Sequence, residues 1–254
     1  MSDDERPENP LTSKSFLASA GIVSLIAVLG IVVIGVNLIS DDEEGEEDNP
    51  AAIVEAAPNE DDDPEPAPSD SEASMCGLPG SDETTLDTAP QEVTWEFVGT
   101  MRAPENPDAG PGLVADDGFR QCYAHSPTGA LLASANMTAL GTDPQLVPQM
   151  LEELVAEGPG QDVALAIVDA EGSAAGPSGA RMSIVGFNLM GYGAEHARVD
   201  LALEGSNGVF MSYTVDLKWE DGDWKRELAP TGDSIIPPAQ IPDASGYIPW
   251  SAEG

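Results

Sequence analysis

From Phe16 to Val36 the chain runs FLASAGIVSLIAVLGIVVIGV without one charged residue. A helix needs about 20 such residues to cross a hydrocarbon layer of ~30 Å, so this stretch is long enough to span a membrane. A cleaved secretory signal has a shorter apolar core and ends at a small-x-small site, which Asn37-Leu38-Ile39-Ser40 matches poorly. A lipoprotein signal fails as well, because Cys76 stands far downstream in a polar stretch. Lys14 precedes the run and Asp41-Asp42-Glu43-Glu44 follows it. The positive-inside bias then predicts a cytoplasmic tail over 1–14, a transmembrane helix over 15–40 and an extracytoplasmic remainder. Ala20 and Ser24 are too loose a small-residue pattern to imply helix pairing.

Residues 41–75 carry fifteen Asp or Glu, no Lys or Arg, and several prolines. Such a segment cannot bury enough apolar surface to offset its ordering entropy, and it reads as a disordered acidic linker. No calcium-binding loop with spaced Asp residues and a distal Glu is present in it. The formal net charge of the chain is -37, and residues 76–254 hold 27 acidic and 7 basic residues. Direct nucleic-acid binding is excluded on charge, since phosphate contacts need a basic patch. The lack of a polybasic segment likewise argues against docking on an anionic lipid surface.

A folded domain is expected over 76–228, with a Pro-rich extension, 229–254, packed on it. Val93, Trp95 and Phe97 alternate with polar neighbours, as in a half-buried strand ending at Arg102-Ala103-Pro104. Ser126 and Pro127 form an N-cap and first helical position, and Ala130, Leu131, Leu132, Ala135 and Met137 give the helix an apolar face. A second helix is expected from Asp143 or Pro144 to Glu157, and a third from about Gln161 to Glu171. Strands follow over Met182–Met190, around Ala197, Val199, Leu201 and Leu203, and from Val209 to Trp219. Asp221-Gly222 then reverses the chain and brings Trp219 and Trp224 together. Helices followed by an antiparallel meander indicate an α+β fold: about three helices packed in a curved antiparallel sheet.

Cys76 and Cys122 are the two cysteines, and on the extracytoplasmic side a disulfide between them is the default. With only two widely spaced histidines, the chain offers no metal-ligand set, and no cofactor motif is present. His125 beside Ser126 invites a hydrolase reading. There is no Gly-x-Ser-x-Gly elbow, however, and a cap already accounts for Ser126, so no catalytic residue is assigned. The sequon Asn136-Met137-Thr138 falls inside the first predicted helix. Trp95, Tyr213, Trp219 and Trp224 could line an apolar pocket, with core packing as the plainer role.

Several local motifs resemble an uncharacterised family of actinobacterial membrane-anchored proteins: Cys76-Gly77-Leu78-Pro79-Gly80, Gly110-Pro111-Gly112, Cys122 to Leu131, Asp223-Trp224-Lys225, and Gly246-Tyr247-Ile248-Pro249-Trp250-Ser251. The Ala-rich helix, the short helices after it and the Trp-closed sheet also resemble the cone-shaped nuclear-transport-factor-2-like fold, and the order of parts resembles the extracytoplasmic scaffold subunits of conjugative type IV secretion channels that share it. That resemblance implies a non-enzymatic assembly subunit of an envelope translocation machine, with envelope proteins or a second copy as partners. It transfers no site residues. An extracytoplasmic ligand-binding module is the second reading and a cone-fold enzyme the third, since one fold hosts many functions.

Overall fold

The protein is described by a computed structural model covering residues 73–173 and 181–253. The expected tail and membrane segment, and all of the expected linker before Ala73, lie outside the described residues.

The segment expected to be one strand is a hairpin: β1 (Thr94–Val98) pairs antiparallel with β2 (Met101–Glu105). Gly99, with φ +57°, turns the chain between them, and β2 continues through the Arg102-Ala103-Pro104 stretch expected to end the strand. Val98 and Met101 are buried, whereas Phe97 is 67% exposed, with the Arg102 guanidinium over its ring. A two-stranded ribbon, β3 (Leu113–Val114) and β4 (Arg120–Gln121), follows.

The centre of the domain is α1 (Pro127–Leu140), in which every residue except Thr128 and Thr138 is buried. A helix of alanine, leucine and methionine presents apolar surface all round, so it sits inside rather than against one face. Its polar residues are satisfied locally: Ser134 Oγ donates to the Ala130 carbonyl, and Asn136 Nδ2 donates to those of Pro104 and Leu132. Two shorter helices, α2 (Val147–Glu153) and α3 (Pro159–Glu171), complete the helical part. The second is half the expected length, because Val155 leaves the helix to bridge to Arg226.

A six-stranded antiparallel sheet follows: β5 (Met182–Tyr192), β6 (His196–Gly205), β7 (Phe210–Glu220), β8 (Asp223–Arg226), β9 (Ala239–Ile241) and β10 (Ile248–Pro249). The spatial order is β10-β5-β6-β7-β8, with β9 pairing to β7. Val199, Leu201, Val215 and Leu217 point into the core. On the opposite side of the strands, Asp200, Thr214 and Asp216 are buried too, where simple alternation predicts exposure. The stretch after β8, together with Ser212 on β7, explains part of this. Tyr247 Oη donates to Asp200 Oδ2 at 2.6 Å, Ser212 Oγ donates to Asp200 Oδ1 at 2.7 Å, and β9 lies alongside β7.

The expectation of a transmembrane helix followed by a cone of three helices in one curved sheet is corrected. The class is α+β with three helices among the described residues, but none of them is long and apolar enough to cross a membrane. Strands at both ends of the sequence order surround α1, in three separate sheets instead of one.

Candidate functional site

Of the residues singled out in the sequence, Cys76, Cys122, His125, Ser126, Trp219 and Trp224 converge on one junction. Cys76 and Cys122 form a disulfide 46 residues apart, which ties the first described residues to the segment before α1. Around it, Cys76 N–H donates to Cys122 Sγ, Leu78 N–H donates to Ser74 Oγ, and Met75 N–H donates to the Gly222 carbonyl. Order therefore reaches into what reads as linker, since Ser74 is buried. Gly112 is required here by close approach, because a Cβ would stand 2.3 Å from Cys76 Sγ.

From the other side the hairpin of β7 and β8 docks onto the same segment. Asp221 and Gly222, both at positive φ, form its turn and set Trp219 opposite Trp224. The carboxylate of Asp223, 3% exposed, accepts the backbone N–H groups of Cys122, Tyr123 and Trp224 at 2.6, 2.8 and 2.8 Å. Burial pushes its pKa up to about 6, against the opposing pull of those N–H donors. Trp224, fully buried, donates its indole N–H to the Ala124 carbonyl. His125 stacks on Trp219 with ring centroids 4.1 Å apart, and its Nε2 lies 2.6 Å from the Ala194 carbonyl oxygen. Ser126 caps α1 by accepting the Gly129 N–H. His125 and Ser126, adjacent in sequence, are thus engaged with different partners and make no nucleophile–base pair.

The four aromatics considered as a pocket lining are not brought together. Trp219 and Trp224 belong to this junction, Trp95 packs against Trp250 with centroids 4.8 Å apart, and Tyr213 lies under Arg226. Among the described residues these are three separate packing sites, and neither depression described below includes any of the four aromatics in its lining.

Two groups went unread in the sequence. Arg120, 2% exposed, pairs with Glu96 and Glu105 and fastens β4 to the first hairpin. Its partners lie 24 and 15 residues away, a separation that leaves no local pattern. The second group surrounds a solvent-open depression of about 440 Å³, lined by Gly191, Tyr192, Gly193, His196, Ala197, Arg198, Asp216 and Glu227. Arg198 Nε donates to Asp216 Oδ1 at 2.5 Å, and His196 Nδ1 lies 3.2 Å from Glu227 Oε2. Burial raises the Tyr192 phenol to about 12, so it stays protonated. Arg198 and Asp216 face each other across β6 and β7, which strand alternation hints at once the register is known. A smaller depression, about 300 Å³, lies beside Ser126 and Thr128 and includes Glu83, Asn106 and Asp108. Among the described residues no group of three His, Cys, Asp or Glu is placed to hold a metal ion.

No curated protein and no solved structure matches the chain. Residues 56–249 match the model of a family described as a domain of unknown function (DUF8175), and the chain belongs to that family.

Proposed function

We propose that this domain is a non-enzymatic assembly module displayed at the outer face of the cell envelope. The observation that carries the reading is how the chemistry-bearing residues are used. Trp219, Trp224, His125, Ser126 and Asp223 fasten the hairpin to the helix start, so the junction is a structural clasp and the function falls to the surface. A disulfide at that clasp suits an oxidising compartment. The surface retains exposed apolar side chains, among them Val163 and Ile167 one turn apart on α3 and Ile235 and Ile236, on a chain that is otherwise strongly acidic.

The order of parts along the sequence, an uncharged run, then an acidic stretch, then the domain, supports a role like that of scaffold subunits in envelope translocation machines. Partners are other envelope proteins or a second copy of the chain. The test is affinity purification of the full chain from detergent-solubilised membranes of its native host, followed by mass spectrometry. Reproducible recovery of one or a few envelope proteins, or of oligomers, is the expected result. A monomer without companions refutes the assembly role. Display is tested separately: protease added to intact, wall-free cells should remove the domain and spare an epitope placed before residue 16.

A further inference from the structure

The 440 Å³ depression holds an acceptor that the fold leaves unused. The Asp216 side chain is 7% exposed, and Arg198 occupies only its Oδ1. Its Oδ2 is buried and has no hydrogen-bond partner among the described residues. A buried acceptor left without a donor is destabilising, more so when charged, so a group that supplies one is favoured there. The neighbouring cation does not supply it, because Lys218 is turned to Glu220 at 2.5 Å.

The rest of the lining narrows what can. Glu227 stands at the rim as a second carboxylate, its side chain 32% exposed, with His196 Nδ1 3.2 Å from its Oε2. Gly191 opens the wall, since a Cβ there would meet no atom within 4 Å. Tyr192 and Ala197 give the depression an apolar side suited to a short methylene chain. The Arg198 guanidinium in the same lining is spent on Asp216 Oδ1, so the free carboxylate oxygen of the floor, the acidic rim group and the apolar wall are what match an ammonium head on an alkyl stem.

We propose that this depression binds a protonated primary amine, with Asp216 Oδ2 and Glu227 as acceptors and Tyr192 and Ala197 against its alkyl stem. The ammonium comes either from a small free amine or from a lysine side chain of a neighbouring protein. The site is separate from the assembly role and stands or falls without it.

The test uses the full chain in detergent at physiological salt, with saturation-transfer NMR against three probes: n-butylammonium, n-butanol, and a blocked Gly-Lys-Gly peptide. The two amines should bind and n-butanol should not. Asp216→Asn and Glu227→Gln should each weaken amine binding about tenfold or more, the loss of one charge-assisted hydrogen bond. Glu83→Gln, in the other depression, should leave it unchanged. Tighter binding of the peptide than of n-butylammonium assigns the lysine source, and the reverse assigns a free amine. Equal binding of n-butanol, or equal weakening by Glu83→Gln and Glu227→Gln, overturns the proposal, as does no amine binding. Should Asp216→Asn unfold the domain, the half-buried rim variant Glu227→Gln decides alone.

Discussion

Replacing Cys76 and Cys122 together by alanine removes the covalent tie between the start of the domain and the segment entering α1. The two residues are 46 apart in sequence. Closing a loop of that size lowers unfolded-state entropy enough to contribute about 4 kcal/mol at room temperature. Cys122 is fully buried, so truncating its sulfur adds a small cavity cost of about 1 kcal/mol. A domain of this size loses about 2–4 °C of Tm per kcal/mol, so the double variant should melt about 10–20 °C below the parent. Thermal unfolding followed by circular dichroism measures this on the full chain. Adding a thiol reductant should bring the parent most of the way down to the variant and leave the variant where it is. A loss under about 1 kcal/mol, or a reductant shift of equal size in the variant, refutes the reasoning.

Further expectations concern the residues around the clasp. Asp223 titrates at about 6 when folded against 3.8 otherwise. The folded state therefore binds its proton more tightly, and the stabilisation, complete below about 3.8, is lost as pH rises through about 6. That amounts to about 3 kcal/mol, and denaturant melts should show the slope in the parent but not in Asp223→Asn. Gly129→Ala places a Cβ 1.9 Å from the Ala124 carbonyl oxygen and should cost about 3 kcal/mol by the same melts, the upper range for overpacking. Trp219→Ala removes the stack on His125 and should cost about 2 kcal/mol. Asn136 is fully buried with its amide nitrogen donating to two carbonyls, so expression through a glycosylating secretory route should give intact mass without a glycan at its sequon.

What could be read from the chain depended on how local its cause was. The Ser126 cap, the Asp221-Gly222 turn and the pairing of Trp219 with Trp224 each depend on a few neighbouring residues, and the structure places them where turn and cap chemistry puts them. The disulfide follows from having two cysteines. The first hairpin was read as one strand because its turn, Gly99-Thr100, has no Asn or Asp to mark it. Burial of Asp200 and Asp216 contradicts alternation because coverage comes from residues such as Tyr247, 47 positions from Asp200. Asp223 was read only as part of the hairpin, since the amides it receives lie 101 and 100 residues earlier. The lysine-free depression was invisible for the same reason: Gly191, Arg198, Asp216 and Glu227 meet only when three strands are in register.

The assembly role is tested most directly by crosslinking in the native host, followed by denaturing gels probed for this chain. The account predicts a discrete, reproducible species above the 26.4 kDa of the chain itself, carrying the same envelope protein or a second copy each time. A chain that stays at its own mass at every crosslinker concentration contradicts it.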